Sequence, residues 1–305
     1  MRILLTGAAG FVGSHVTRAL LAASHEVITL IRPSTDTWRI DDILPQVTII
    51  NGDLADHSAL KAALTGKPPD LCLHLAWYAE HGKYWHSPRN LELIGQTLAL
   101  LQLLASLGCL RFVGTGTCVE YDITQGYLDE ATSVLYPASL YAASKLSAYY
   151  LTEHLGRQIG VQTAWLRLFY IYGPMESPNR LIPYVINSLL AEHVVETTSG
   201  EQVRDYLHIT DAASGLCTAA LSDVQGAVNI ASSEPIAVKQ VVQDIAQLIG
   251  GQDLLRLGAK AGSPGDPSVI YGNSQRLREL GWRPRYTLKE GLVDTIGWWK
   301  KCYAA

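Results

Sequence analysis

The sequence has no long apolar run and no cluster of positive charge. No stretch approaches the roughly eighteen apolar residues that a membrane-spanning helix requires. Lysine and arginine together number 24 against 28 aspartates and glutamates, so the formal net charge is −4. Because no basic patch is present, we expect neither nucleic acid nor a membrane as a partner.

Cysteine is also scarce. The chain has five, an odd number at irregular spacing, which matches neither a disulfide framework nor a zinc-binding pattern. A strand-like segment starts at the first residues, so we expect no signal peptide. We therefore expect reduced thiols, a cytoplasmic location and no metal site. At 305 residues, the chain suffices for one large or two modest domains.

A glycine-rich turn follows the first segment of the chain. Residues 1–5 are almost continuously apolar, which predicts a buried strand, and residues 11–22 have helical spacing. The glycines between them permit a tight turn and a close approach of backbone to a pyrophosphate at the helix N-terminus. The order of strand, turn and helix favours this interpretation over ordinary turn glycines. The predicted dinucleotide contacts are Gly7, Gly10, Phe11, Val12 and Gly13.

Arg32 follows the second predicted strand, residues 26–31, where an NAD site usually has an acidic residue for the ribose 2′-hydroxyl. A guanidinium instead suits the 2′-phosphate of NADP. Asp36 lies further along and could still serve NAD. We therefore expect NADP as the cofactor, with NAD as the alternative.

Asp53 follows the third predicted strand, residues 47–50. Its carboxylate could accept a hydrogen bond from the adenine amino group, or it could cap the next helix. The local sequence leaves both interpretations open.

Tyr141 and Lys145 are separated by one turn of a predicted helix. A tyrosine titrates at about 10, so alone it is a poor base at neutral pH, and a nearby ammonium lowers its pKa. Thr115 and Thr117 follow the predicted strand 111–114, at the end where parallel sheets bind ligands. These residues predict a proton-transfer site. The alternative is a surface tyrosine, a solvated lysine and threonines that cap a turn.

Strand–helix alternation continues to about residue 170. It predicts an α/β fold with a doubly wound parallel sheet of the Rossmann type. Prolines at 174, 178 and 183 indicate that the chain then enters a smaller, interleaved C-terminal substrate domain. We predict that residues 1–172 and 204–225 form the dinucleotide-binding domain, and residues 173–203 and 226–305 the substrate domain.

Further motifs follow in order along nearly the whole chain. They are His74-Leu75-Ala76, Tyr172-Gly173-Pro174, Arg204-Asp205-Tyr206-Leu207-His208, Gly265-Asp266-Pro267 and Leu280-Gly281-Trp282-Arg283-Pro284. Together with the glycine turn and the Tyr–Lys pair, their order resembles that of the extended short-chain dehydrogenases/reductases. This family comprises NAD(P)-dependent epimerases, dehydratases and reductases of nucleotide sugars. Each motif is weak alone, and their order carries the assignment.

The resemblance implies roles for individual residues. Tyr141 would be the acid/base, Lys145 its partner and Thr117 the hydroxyl that completes the triad. Arg204 would hold the substrate pyrophosphate, with Arg180 and Asp266 also lining the substrate site. Cofactor contacts are implied for Asp53, Leu54, Leu75, Ala76, Lys145 and Tyr170.

The segment 77–86, after the fourth predicted strand, is unusually aromatic and charged. Aromatic faces could stack on a sugar ring, and Lys83 or His81 could reach substrate oxygens, so Lys83 is a predicted substrate contact. The alternative is a cluster at the start of a helix that packs against the lid.

The resemblance leaves three reactions to compare. Dehydratases of the family place an Asp–Glu pair after the catalytic threonine, whereas Cys118 and Val119 follow here, so dehydration is disfavoured. Cys118 resembles the cysteine of enzymes that epimerise and then reduce, but a small buried thiol is the favoured interpretation. Arg32 favours NADPH-dependent reduction of an NDP-4-keto-6-deoxyhexose, and an NDP-sugar 4-epimerase with retained NAD is the alternative. A non-catalytic dinucleotide sensor is less consistent with an intact triad.

Two long helices are predicted at residues 91–107 and 141–155, each with a broad apolar face. In the family such a pair forms a four-helix bundle across a twofold axis, which implies a homodimer. Burial of the same faces within one monomer would give the same pattern.

Overall fold

Strands and helices alternate through most of the chain. The structure is a computed structural model and describes residues 1–263 and 265–304. Its strands are β1 (Arg2–Thr6), β2 (Glu26–Ile31), β3 (Thr48–Asn51), β4 (Leu71–His74), β5 (Arg111–Thr117), β6 (Tyr127–Leu128), β7 (Gln162–Leu168), β8 (Tyr170–Tyr172), β9 (Val195–Glu196), β10 (Val203–His208), β11 (Gly226–Ile230), β12 (Pro235–Ala237), β13 (Leu255–Arg256) and β14 (Val269–Gly272). Its α-helices are α1 (Phe11–Ala22), α2 (His57–Leu64), α3 (Arg89–Ser106), α4 (Leu140–Ile159), α5 (Leu181–Leu190), α6 (Ile209–Leu221), α7 (Val238–Ile249), α8 (Gln275–Glu279) and α9 (Leu288–Ala304).

Seven parallel strands form the main sheet, in the order β11-β7-β5-β4-β1-β2-β3. The chain starts in the middle with β1, adds β2 and β3 on one side, and then adds the remaining strands on the other. This is the strand order of a doubly wound Rossmann sheet, so the predicted fold class is confirmed. Such sheets bind ligands at the switch point, which here lies between β1 and β4.

Alternating residues of the strands supply an apolar core on each face of the main sheet. Ile3 and Leu5 pack with α1 and α6, whereas Leu4, between them, packs with α3. The side-chain period of two along a strand explains this division. Nearly continuous apolar strands are typical of parallel sheets that are covered on both faces.

A second sheet of five strands contains β6, β8, β10, β12 and β14. Beside it, α5, α7 and α9 share a separate apolar core that includes Ile186, Val242 and Leu292. Because β6 comes from residues 127–128 and β14 from residues 269–272, this unit is interleaved with the main sheet along the chain.

Two of the predicted domain boundaries are wrong by one strand. Residues 204–225 are predicted to return to the main sheet, but β10 pairs with β8, β12 and β14, while α6 packs on the main sheet. Residues 226–305 are predicted to form part of the substrate domain, but β11 pairs with β7 at the edge of the main sheet. Both errors have one cause, since a short buried strand has the same apolar pattern in either sheet.

His74 lies at the end of β4 and joins three elements. One ring nitrogen is 2.8 Å from Thr6 Oγ1 on β1, and the other is 3.0 Å from Thr97 Oγ1 on α3. Burial lowers the pKa of His74 to about 3, so the ring is neutral at physiological pH. It is a structural histidine with both ring nitrogens hydrogen-bonded.

Within residues 1–263 and 265–304, no helix is long and apolar enough to cross a membrane. The same part of the chain has no group of three or more His, Cys, Asp and Glu side chains arranged to hold a metal ion. The cysteines are free thiols, with Cys302 exposed and the others buried, namely Cys72, Cys109, Cys118 and Cys217.

Candidate active site

The glycine turn packs tightly between α1 and the chain that follows β4. Gly7 has a φ of +77°, in the left-handed region that favours glycine. A Cβ on Gly13 would overlap the Gly7 carbonyl oxygen, and a Cβ on Gly7 would lie 2.9 Å from the Ala76 nitrogen. Leu75 and Ala76, both predicted cofactor contacts, therefore lie directly behind the turn. Close backbone contacts require glycine at both of these positions.

The N-terminus of α1 is open to an anion. Gly10 is the N-cap and has no side chain to cap the helix, and the first turn carries no acidic residue. The first N–H groups of a helix, here including those of Phe11 and Val12, have no intrahelical acceptor and form the positive end of the helix dipole. These features fit the pyrophosphate of a dinucleotide.

Arg32 and Asp53 lie side by side after the neighbouring strands β2 and β3. Arg32 Nε is 4.0 Å from Asp53 Oδ2, and about half of each side chain is exposed. Asp56 caps α2 by accepting a hydrogen bond from the Ala59 N–H, so Asp53 is not the helix cap. Leu54, next in the chain, is buried. The contact of Asp53 with adenine stays a prediction.

Thr117, Tyr141 and Lys145 converge at the carboxyl end of β5. Thr117 is the last residue of β5, which extends beyond its predicted end at residue 114. Tyr141 and Lys145 lie in the first turns of α4, and the Thr117 side chain lies near the Tyr141 phenol. Lys145 Nζ donates to the Thr115 carbonyl at 2.7 Å. The structure thus brings the predicted triad together.

Burial controls the protonation of the tyrosine and the lysine. It raises the pKa of Tyr141, and the nearby side chains of Tyr84, Glu120 and Cys118 raise it further. Burial also lowers the pKa of Lys145 to about 7. The prediction that the lysine lowers the tyrosine pKa is therefore wrong for the polypeptide itself, because desolvation dominates and the ammonium is directed at a backbone carbonyl.

Aromatic side chains from the loop after β4 pack against the catalytic residues. The rings of Tyr84 and Trp85 are edge-on to Tyr141, with centroids 4.7 and 5.8 Å from its own. Trp77 packs against Lys145, whose Nζ is 3.9 Å from the ring centroid. An indole face favours a cation, and the rings together exclude water. The aromatic segment noted in the sequence therefore forms a wall of the candidate site.

Asn90, at the start of α3, fixes this loop. Its side chain accepts a hydrogen bond from Trp77 Nε1 at 2.8 Å and donates one to the Tyr84 carbonyl at 2.7 Å. Asn90 is completely buried. Asn90 is not among the predicted site residues. The many aromatic residues of the loop point to the loop itself, and they do not identify the asparagine that fixes it.

Lys83 lies outside this cluster. Its side chain is 69% exposed, and its Nζ is 2.5 Å from Glu80 Oε1. The predicted contact of Lys83 with a substrate is therefore not supported, because the carboxylate three residues earlier holds the ammonium on the solvent side of the loop.

The predicted substrate residues form a second cluster around Arg204. This arginine is buried, donates to Asp266 Oδ1 at 2.6 Å and lies 5.5 Å from the centroid of the Tyr170 ring. Tyr170 lies beside Arg204, and its predicted contact with the cofactor stays a prediction. Arg180 is the N-cap residue of α5, and its charge opposes the burial that raises the pKa of Tyr84. Both arginines are therefore tied to residues of the candidate site.

Comparison with known proteins identifies the family of this chain. The sequence pattern of the NAD dependent epimerase/dehydratase family matches residues 3–231, well over half of the chain. The chain belongs to this family. It is accordingly an enzyme of the extended short-chain dehydrogenase/reductase type, as the motif order predicts.

Several members of the family match this chain over nearly the full length of both proteins. The uncharacterized UDP-glucose epimerase YtcB of Bacillus subtilis is 30% identical, over 99% of each chain. UDP-glucose 4-epimerase of Thermus thermophilus, solved in complex with NAD, is 26% identical over 98% of this chain and 99% of its own, with a TM-score of 0.86. The dTDP-glucose 4,6-dehydratase DesIV of Streptomyces venezuelae, also solved with NAD, is 26% identical over 100% of this chain and 98% of its own, with a TM-score of 0.88.

Replacing Gly13 with alanine should weaken dinucleotide binding by about tenfold or more, equivalent to about 1.4 kcal/mol. The added Cβ would overlap the Gly7 carbonyl and force the turn away from α1. Fluorescence titration with NADH and NADPH would measure the change.

Gly95→Ala is the matched control for this substitution. Gly95 lies within α3, and no heavy atom lies within 4 Å of its added Cβ. Alanine is favoured over glycine inside a helix, so this variant should bind the cofactor normally. Normal binding by a folded Gly13→Ala protein would contradict the assigned role of the turn.

Proposed function

We propose that the enzyme uses NADPH to reduce the keto group of an NDP-4-keto-6-deoxyhexose. The observation that carries this proposal is the convergence of Tyr141, Lys145 and Thr117 at the sheet edge that also bears the glycine turn.

The side chains of the triad would act on one oxygen atom of the sugar. A bound nicotinamide supplies the hydride. Tyr141 donates its proton to the keto oxygen, and the Thr117 hydroxyl hydrogen-bonds to the same oxygen and orients it. The Lys145 ammonium would stabilise the phenolate that remains and would hold the nicotinamide ribose. The rings of Tyr84 and Trp85 keep water from the transferred proton.

Arg32 supports NADP as the cofactor. Its guanidinium is half exposed after β2 and only loosely paired with Asp53, at 4.0 Å. A 2′-phosphate would form charge-assisted hydrogen bonds with such a group. NAD is the alternative, and it is the cofactor bound in the Thermus epimerase and in DesIV.

Changing Arg32 to alanine should weaken NADPH binding by about tenfold or more, since hydrogen bonds to charged groups contribute about 1.5–3 kcal/mol. NADH binding should change little, because NADH has no 2′-phosphate. Titrations of both cofactors would give the two affinities. Lys67→Ala removes an exposed cation that pairs with Glu26 at the start of β2, and it should affect neither cofactor. Equal losses for NADH and NADPH in Arg32→Ala would assign the cofactor as NAD.

Arg204 and Arg180 are the proposed contacts of the substrate diphosphate. A guanidinium group suits phosphate oxygens because it donates several hydrogen bonds in one plane. Arg204 is already oriented by hydrogen bonds to Asp266 and to the Pro267 carbonyl. We infer that Asp266 acts by fixing this orientation.

The residues after Thr117 do not support dehydration. Cys118 is buried, as the sequence predicts, and burial raises the pKa of its thiol to about 12, so it is a poor acid or base at neutral pH. Glu120 is the next carboxylate in the chain, but it is directed at Trp165 and Arg167 in the interior.

A 4-epimerase with retained NAD is the second candidate function. The similarity to UDP-glucose epimerases, YtcB and the Thermus enzyme among them, favours it. Epimerisation would use the same triad, because a hydride removed from a sugar carbon is returned to the other face of the same carbon.

Two assays separate the candidate reactions. In one, purified enzyme receives NADPH and dTDP-4-keto-6-deoxyglucose, and NADPH absorbance is followed. In the other it receives NAD and UDP-glucose, and the appearance of the 4-epimer is followed by NMR. We expect NADPH consumption in the first assay and no epimer in the second. Epimer formation without reduction would refute the reductase, and tight dinucleotide binding without either reaction would favour the sensor.

Tyr141→Phe should lower turnover by roughly a thousandfold, within the usual range for loss of a general acid. Cofactor affinity should stay nearly constant, because the substitution removes only the phenol hydroxyl, which lies near Thr117. Tyr136→Phe removes the hydroxyl of an exposed tyrosine and serves as the control. Unchanged turnover in Tyr141→Phe would remove Tyr141 from the mechanism.

We also propose a homodimer in which α3 and α4 pair with their counterparts across a twofold axis. The two helices pack against each other within the monomer, yet Leu91, Tyr150 and Leu151 on them remain 44–56% exposed. Leu151→Glu should therefore yield a monomer in analytical ultracentrifugation. Leu110→Glu alters an exposed leucine in the turn before β5 and should leave the dimer intact. A native protein that sediments as a monomer would contradict this assembly.

A further inference from the structure

Glu120 is buried directly behind the end of the catalytic strand, and no step proposed above uses it. Its exposed fraction is 0%. Glu120 Oε1 accepts hydrogen bonds from the Thr117 N–H at 2.9 Å and from Trp165 Nε1 at 3.0 Å. Its Oε2 accepts one from Arg167 Nε at 2.7 Å, in a buried ion pair. Protein groups therefore occupy both oxygens of the carboxylate.

The surroundings of Glu120 accommodate it closely. A Cβ on Gly116 would overlap both Glu120 Oε1 and Trp165 Nε1, so the glycine makes room for their hydrogen bond. A buried ion pair seldom adds net stability compared with a well-packed apolar pair, because both charges lose their hydration. Stability alone therefore gives little reason for a carboxylate at this position.

Trp165 connects Glu120 to Lys145. The indole N–H donates to the Glu120 carboxylate, and Lys145 Nζ lies 5.9 Å from the centroid of the same indole. A hydrogen bond from the N–H to a carboxylate polarises the ring and makes it more attractive to a cation. The lysine is also held by the Thr115 carbonyl on β5.

We propose that Glu120 is a positioning residue for the triad, an inference that rests on the proposed reaction. Glu120 acts in two ways. It fixes the backbone of Thr117, from which the catalytic hydroxyl projects, and its negative charge stabilises the Lys145 ammonium across Trp165. It acts through these residues and contacts neither substrate nor cofactor.

Few charges surround Lys145, so one carboxylate has a large effect. Burial lowers the pKa of this lysine, and the charge of Glu120 opposes that shift. The other groups that face the lysine are the Tyr141 phenol on α4, the neutral His74 ring on β4 and the Trp77 indole after β4. Removing the carboxylate should therefore lower the pKa of Lys145 further.

The test is the titration of Lys145 in the Glu120→Gln variant. Lysine side chains labelled with ¹³C at Cε would be followed by NMR, and the Lys145 signal would be assigned by its absence in Lys145→Met. We expect a midpoint of about 7 in the native protein. The midpoint should fall by roughly one pH unit in Glu120→Gln, the usual size of a charge effect inside a folded protein. The pH profile of turnover should shift in the same direction.

Glu153→Gln is the matched control. Glu153 lies further along α4 and pairs with Arg157 at 2.5 Å near the surface, so its loss should leave the midpoint unchanged. If Glu120→Gln fails to fold, the double variant Glu120→Gln/Arg167→Gln would be used in its place. It removes both members of the buried ion pair, so Arg167 is not left as an unpaired charge. It should show the same lowered midpoint.

An unchanged Lys145 midpoint in a folded Glu120 variant would overturn the proposal, even if turnover fell, because that result describes a purely structural residue. The NMR titration needs no substrate, so it is independent of the reaction assays. A shifted midpoint in a protein that reduces no keto sugar would refute the proposed reaction and leave the effect of Glu120 on Lys145 established.

Discussion

A chain of buried hydrogen bonds fixes the sheet edge on which the candidate site is built. The Thr6 hydroxyl lies between the His74 ring and the Ala76 N–H, and the other side of that ring reaches Thr97 on α3. The Thr115 hydroxyl donates to the His74 carbonyl. These bonds join the carboxyl ends of β1, β4 and β5. The glycine turn follows β1, the aromatic loop follows β4, and β5 ends at the catalytic Thr117. A buried group left without its partner would cost about 1–3 kcal/mol, so the three loops keep a fixed relation.

Desolvation sets the chemistry of this edge. The aromatic wall excludes water from Tyr141 and Lys145, and burial moves both towards their uncharged forms. An interaction between charges is stronger in such an environment than in water. A site with so little fixed charge therefore responds strongly to the charges that a cofactor and a nucleotide sugar bring with them.

Sequence patterns predicted the parts of the site that lie within one turn or loop. The glycine turn depends on residues 7–13, and the Tyr141–Lys145 spacing on one helical turn, so both were identifiable before the fold was known. Asn90 and Glu120 were not, because their hydrogen-bond partners lie up to 13 and 47 residues away in the chain. Lys83 was predicted to contact the substrate because of its residue type. Its orientation depends on the ion pair with Glu80, which the residue type does not reveal.

The fold class was predictable from the sequence, but the assignment of two strands to their sheets was not. Apolar strands alternating with amphipathic helices specify a doubly wound sheet, because few other arrangements bury both faces of parallel strands. The membership of β10 and β11 in one sheet or the other depends on pairings that the local pattern does not encode. The interleaving of the two units was therefore expected, but the residues at which the chain passes from one unit to the other were not.

The glycines of β5 limit how this chain can diverge. A Cβ on Gly114 or Gly116 would overlap the indole of Trp165 on β7. A larger residue at either glycine requires the loss of this tryptophan, and with it the indole that connects Glu120 to Lys145. We therefore expect substitutions at Gly114, Gly116 and Trp165 to be correlated during evolution.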